Sequence, residues 1–460
     1  MFDDSPVWRQ PLETVSVLYD PFADRTFMHP AIAVFILLAC AAALVSGRNR
    51  ALIAAMLTLN FIPAAQRLYL VGMNLPAIRI FIFAAILRIV IRNEYVHLRL
   101  NNLDRIVAAY GISTVITYTL QVPSAGSLNY AMGSALDALG AYFIVRVLVR
   151  DGDNLRCLVE TLAGVSIVIV LLFLYEYRTG VNPMNVFGGV PATSDIRGGR
   201  IRIQGPYPHS ILAGAYWAAA LPLFIGYRLR EGLRVPVMYL AAFASLVVVV
   251  LSASSTPIAS AAFGVAGAVL YYQRRSLTAL KLSLLLTLLV IALVMHHPIW
   301  FLLARVDLVG GSTGYYRYLL VDSFLRHWSD WCLIGIRDTF QWGEGYGLAA
   351  VGLRDLANQF VYEGTRGGAA SLLLFVSAIV TSLGYIGVVT RSAVANDERR
   401  YAWSVGVSLL VHVASFVAVS YYGQVKFAWW MTVALCGSLY QRHVEQYAHE
   451  FGDVLAGEPS

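Results

Sequence analysis

The chain has 460 residues, of which 58% are hydrophobic and only 13% charged, with a formal net charge of +7. That balance excludes an ordinary soluble domain and points to an all-α polytopic membrane protein. The basic excess is accounted for by short loops between apolar runs, so nucleic acid is not an expected partner.

Taken in chain order, Met1 to Met28 shows no apolar core behind a basic start, and no cleavable signal peptide is expected. Its Asp3, Asp4, Glu13, Asp20 and Asp24 suit the outer face of a membrane. A spanning helix needs about 20 mostly apolar residues. Windows that meet this test lie near 28–46, 50–72, 75–92, 106–121, 129–149, 157–177, 208–227, 235–252, 256–272, 279–297, 368–389, 402–421 and 424–440. They amount to about 12–13 transmembrane helices, with Pro63, Arg67 and Arg79 blurring the second and third. Asp137, in the fifth window, is an intramembrane carboxylate. It reads either as paired with Arg88 or Arg146, as protonated, or as a working group of a proton-coupled transporter or lipid-linked glycan flippase.

Basic groups from Arg48 and Arg50 through Arg150, Arg228, Arg230 and Arg274 to Arg400 and Arg442 all fall on one face. The positive-inside rule makes that face cytoplasmic. Residues 178–207 and 298–367 are then outer loops of a single membrane domain spanning 1–460. Cys40, Cys157, Cys332 and Cys436 form no disulfide framework and no cysteine metal site, and His296-His297 reads as the border of the tenth helix.

The first outer loop runs into the seventh window as RGGRIRIQGPYPHSILAG, residues 197–214. Guanidinium groups cannot be left unsolvated in lipid, so this segment must sit at the interface or line a polar cavity. Arg200, Arg202, Gln204, Gly205 and His209 form the first candidate constellation, although arginines on lipid phosphates and glycines in a turn read equally well. The second outer loop is rich in Trp and Tyr, which predicts a folded cap with amphipathic helices rather than disorder. There Gly310 to Gly314 precedes a helical spacing of Arg317, Leu320, Val321, Phe324 and Trp328, with Ser312 or Thr313 as N-cap. Arg317 in the first turn opposes the helix dipole, and with Gly314 and free N–H groups it describes an anion site or an untuned surface helix. The third constellation is Asp355, Asn358, Glu363 and Arg366 with Gly364, Gly367 and Gly368, at a loop-to-helix junction. Neither Arg202 nor Arg317 has an obvious neighbouring carboxylate in the sequence. No outer Asp, Glu or His cluster has metal-ligand spacing.

The order of these blocks resembles the O-antigen ligase and Wzy-type polymerase superfamily, in its exopolysaccharide or capsule polymerase branch. The likeness covers roughly 200–390 and rests on RIQGPYPHSILAG, SSTPIAS, GGSTGYYRYLLVDS, HWSDWCLIGIRDTFQWG and DLANQFVYEGTRGG. It implies a bacterial inner-membrane enzyme that needs no metal or cofactor. Such an enzyme moves a glycan from undecaprenyl pyrophosphate to a sugar hydroxyl at the periplasmic face, with a chain-length regulator or export machinery as candidate partner. By the same resemblance Arg202 and Arg317 are associated with the donor pyrophosphate. The ligase branch carries His-Asn, nine residues, then Gly; here Asn358 and Gly368 fit but Ala357 stands at the histidine position. That departure counts against a ligase using this histidine as base. Proton removal from the acceptor is left to His209, Asp355 or Glu363. Arg200, Gln204, Gly314, Asn358 and Arg366 are the expected substrate-binding residues.

Overall fold

Apolar runs that leave water must close their backbone hydrogen bonds among themselves, and this chain does so almost wholly with helices. The computed structural model describes residues 25–70, 72–227, 234–305, 314–346, 352–353 and 355–456. The acidic positions of the N-terminal tail, Arg228, Arg230 and the cap candidates Ser312 and Thr313 lie outside the described residues. The helices are α1 (Pro30–Val45), α2 (Arg48–Phe61), α3 (Ala77–Ile91), α4 (Asn102–Gln121), α5 (Ala125–Leu148), α6 (Gly152–Thr179), α7 (Ser210–Gly226), α8 (Arg234–Leu251), α9 (Ser255–Val269) and α10 (Leu277–Val294). They continue with α11 (Gly314–Arg326), α12 (Trp328–Trp331), α13 (Gln359–Ser392), α14 (Asn396–Phe416) and α15 (Gln424–Ala456). Two antiparallel hairpins interrupt them, β1 (Arg67–Leu70) with β2 (Met73–Pro76) and β3 (Asp195–Arg197) with β4 (Arg200–Arg202).

Each apolar window of the sequence overlaps one of these helices. By length and composition α5, α6 and α13 can cross a membrane, and the sharply bent pair Leu285–Val294 and Ile299–Arg305 would make a fourth span. Three further apolar helices, α1, α7 and Val235–Leu251, are shorter. The second window overshoots its helix: α2 stops at Phe61, just before Pro63, and Arg67 starts the first hairpin. Proline cannot donate within a helix, and the freed strand is held instead by the backbone pairing of Phe27 with Arg67.

Helix α7 is apolar on every side and buried along nearly its whole length, as expected of a helix enclosed by others. It packs against α8, α9 and α14. Small residues set the spacing there. A Cβ on Gly264 would lie 2.9 Å from Val411, and one on Gly267 2.8 Å from Val407, so α9 and α14 approach closely at both points.

Several buried charges within the bundle are paired. Arg88 grips Glu94 through two bonds of 3.0 and 2.9 Å, and Arg146 together with Tyr142 holds Asp104. Asp137 is bound by Arg79 in a two-pronged pair of 2.6 and 2.7 Å, which corrects the expectation of Arg88 or Arg146 as its partner. Arg88 and Arg146 are already committed elsewhere. An ion pair of this geometry meets the desolvation cost of its members and leaves Asp137 no unexplained charge.

The described residues of 298–367 pack into a core of their own. Leu319, Leu320 and Phe324 of α11, Trp331 of α12, Trp342, Leu353 and Val361 form a separate apolar cluster. Trp300 bonds Asp322 at 3.1 Å, tying the short turn Ile299–Arg305 to α11. The last nine residues of the expected 298–367 loop are already helical, because α13 starts at Gln359 and is interrupted only at Gly368. Gly368 has φ 66° and ψ −172°, a region open essentially to glycine alone. The break admits the backbone of 332–336, with Ala369 N–H donating to Cys332 and Ile336 N–H to the Thr365 carbonyl. Gly368→Ala would force a methyl group into the Leu333 carbonyl. It is expected to destabilise the protein by about 1–3 kcal/mol or more. An unchanged thermal midpoint in detergent would show that this break does not depend on glycine.

Candidate functional site

The arginine segment is built as a hairpin whose turn is Gly198-Gly199, with φ of 56° and 74°. Two consecutive left-handed residues are what a two-residue turn matching the strand twist requires. The pairing sets Arg197 opposite Arg200 and Asp195 opposite Arg202. Arg200 is therefore exposed near the tip, whereas Arg202 is 5% exposed at the base.

Arg202 donates to Asp195 at 3.0 Å, so the expectation that it lacks a neighbouring carboxylate is corrected by the strand register. Its buried Nε has no hydrogen-bond partner among the described residues. The same is true of Arg317 Nε on α11. Burial is the first cause that lowers the pKa of both guanidinium groups; Asp195 opposes it at Arg202, and Asp355 at Arg317. The positive charge of Arg197 acts on both arginines in the same lowering sense. Guanidinium does not lose its proton under such shifts. Arg197 is thus the electrostatic neighbour common to Arg202 and Arg317, residues about 115 positions apart in sequence.

His209 joins this group. It is the N-cap of α7, where its Nδ1 accepts the Ile211 N–H at 3.2 Å. A neutral imidazole whose Nδ1 is an acceptor carries its hydrogen on Nε2, so near neutral pH it offers a donor rather than a proton acceptor. Asp355 behaves differently. It keeps solvent contact, yet packing raises its carboxyl pKa, with Arg317 pulling the other way. Its backbone N–H donates to Tyr316 Oη at 3.1 Å.

Glu363 and Arg366 lie in a second place, a cavity lined by Tyr110, Tyr118, Tyr130, Tyr362, Lys426 and Trp430 among others. Glu363 is enclosed and accepts from Tyr110 Oη at 2.9 Å and from Gln359 Nε2 at 2.7 Å. Arg366 donates to Tyr118 Oη at 3.3 Å and lies over the Tyr118 and Tyr362 rings. Lys426 donates to Ser134 Oγ at 2.7 Å. The open volume of about 30 Å³ holds a water or two, not a sugar.

Three other expected binding residues are occupied by the fold. Asn358 caps α13 by accepting from the Phe360 and Val361 N–H groups and donates to the Val417 carbonyl. Gln204 donates to the Tyr207 carbonyl. Gly314 exists for close packing, since a Cβ there would meet the Leu303 carbonyl at 2.6 Å.

Glu176, which the sequence reading passed over, anchors the arginine segment. Fully buried near the end of α6, it accepts from Ser194 Oγ and Gly205 N–H at 3.0 Å and from Gln204 N–H at 3.4 Å. Its signal was a lone carboxylate at the end of an apolar run; that of Lys426 was a lone ammonium at the start of another. Glu176→Gln should lower stability by roughly 1.5–3 kcal/mol, the scale of charge-assisted hydrogen bonds. Chemical denaturation in detergent measures this, and an unchanged midpoint would show that the segment is held by other contacts.

Among the described residues no group of three or more His, Cys, Asp or Glu is placed to share a metal ion. No protein-family model matches the chain, and no curated protein matches it.

Proposed function

We propose that the chain is a multi-pass glycosyltransferase of the bacterial inner membrane, extending glycans carried on undecaprenyl pyrophosphate at the outer face. The observation that carries this reading is that the charge of Arg197 acts on both Arg202 and Arg317, each of which has a buried Nε donor without a partner among the described residues. Arg197, Arg202 and Arg317 stand against the carboxylates of Asp195 and Asp355, an excess of one positive charge, beside His209, whose Nδ1 already accepts a backbone N–H. Planar guanidinium in a water-poor site binds phosphate oxygens through paired hydrogen bonds. A pyrophosphate leaving group gathers negative charge as its bond to the sugar breaks, so the same arginines stabilise the transition state more than the ground state.

In this scheme the bond from the sugar C1 to pyrophosphate breaks and a bond from C1 to the acceptor oxygen forms. The acceptor proton passes to Asp355, and undecaprenyl pyrophosphate departs. The cap formed by α11 and α12 keeps water from competing. The reading carries with it about 12–13 spans, a periplasmic cap and a chain-length regulator or export machinery as partner. Purified protein in lipid nanodiscs should convert a lipid-linked oligosaccharide into a ladder of longer lipid-linked products. Transfer to lipid A core instead would identify a ligase, and movement of unextended substrate across the bilayer would identify a flippase; either result rejects a polymerase.

A further inference from the structure

A larger cavity lies at the opposite end of the helices. Gln424, the first residue of α15, donates to the Pro206 carbonyl beside the arginine hairpin. Ser438 to Glu445 lie 14 to 21 residues further along that helix, a rise of about 21–32 Å. There the end of α5, the turn Glu94–His97 and α15 enclose about 350 Å³, within the range of small-molecule sites.

Its charges are unequally committed. Glu94 is taken by Arg88, and Arg146 by Asp104. Arg99 and Glu445 are 3.9 Å apart at the exposed rim. The Arg150 guanidinium, which also lines the cavity, has no side-chain partner among the described residues. Arg442 reaches Glu398 only at 3.6 Å through Nη2, while its buried Nε has no partner among the described residues. Ser438 is 6% exposed, and its Oγ likewise has no partner among the described residues. Buried donors are rarely left in this condition, because each forfeits its hydration without a replacement. Two guanidinium groups and a hydroxyl lining one cavity match the oxygens of a phosphate group.

We propose that this cavity binds a phosphate group, supplied either by an anionic phospholipid headgroup or by free phosphate. The lipid source suits the surroundings: Val96 lines the cavity and is 66% exposed, with exposed Leu100 and Val444 close by in sequence. Basic pockets between membrane helices on the positive face are where anionic headgroups bind. This site is independent of the outer arginine group and of the reaction proposed there.

The test measures the thermal midpoint of the full chain in detergent with added phosphatidylglycerol, phosphatidylcholine or inorganic phosphate. Phosphatidylglycerol is expected to raise the midpoint where phosphatidylcholine does not. Arg150→Gln should weaken that response about tenfold or more, and Arg150→Lys should restore part of it. Arg150 has no ion pair to break, so its variants are expected to fold; Arg442→Gln, which also loses Glu398, is the second variant. A rise with inorganic phosphate that Arg150→Gln abolishes supports the same site with a free ion as ligand. No rise with either phosphate source, or a rise that both glutamine variants retain, overturns the proposal.

Discussion

Arg317→Lys and Arg202→Lys are each expected to lower glycan elongation by about 100-fold or more, the scale of losing one preorganised donor from an oxyanion site. Lysine keeps the charge but loses the planar fork and the Nε donor, which at both positions is buried without a partner among the described residues. Arg202→Lys also disturbs the contact with Asp195. Its defect should therefore exceed that of Arg200→Lys, whose parent side chain is exposed near the hairpin tip. The measurement is product ladder length and rate at equal protein level. Near-normal polymer from both Arg202→Lys and Arg317→Lys would falsify the pyrophosphate site.

Asp355→Asn is expected to cut chain extension by about 100- to 10,000-fold, the span of general-base contributions, while donor binding persists on the arginines. Asp355 shares the electrostatic surroundings of Arg317 and keeps solvent contact. Burial holds its carboxyl above the ordinary range, so the acidic fall in activity should begin at a higher pH than for a free aspartate. Above that pKa the carboxylate is ionised and able to accept a proton; below it the group is neutral and activity is lost. The asparagine variant should lack this limb of the pH profile. Glu363→Gln should cost less, because Glu363 is closed into a cavity of water size and already accepts from Tyr110 and Gln359. His209→Ala should act mainly through the lost cap of α7. Loss of activity confined to the His209 variant would reject Asp355 as the base.

The regular part of the fold was legible from local chemistry. A run of about 20 apolar residues determines a helix in a membrane, and the aromatic richness of 298–367 signalled packing, which the cluster around Phe324 and Trp331 shows among its described residues. Gly198-Gly199 likewise carried its turn within two residues. What lay beyond the sequence was pairing between distant groups, because ion pairs and caps depend on which helices become neighbours. Asp137 found Arg79 rather than Arg88 or Arg146, and Glu176 took the backbone N–H groups of Gln204 and Gly205. The expected site residues divided for the same reason: strand register put Arg202 beside Asp195, while the first turns of α13 carried Glu363 and Arg366 into a separate tyrosine-lined cavity. Residue type told which side chains could bind an anion; only tertiary packing decided which of them kept donors to spare, since a buried polar group takes the nearest partner the fold provides.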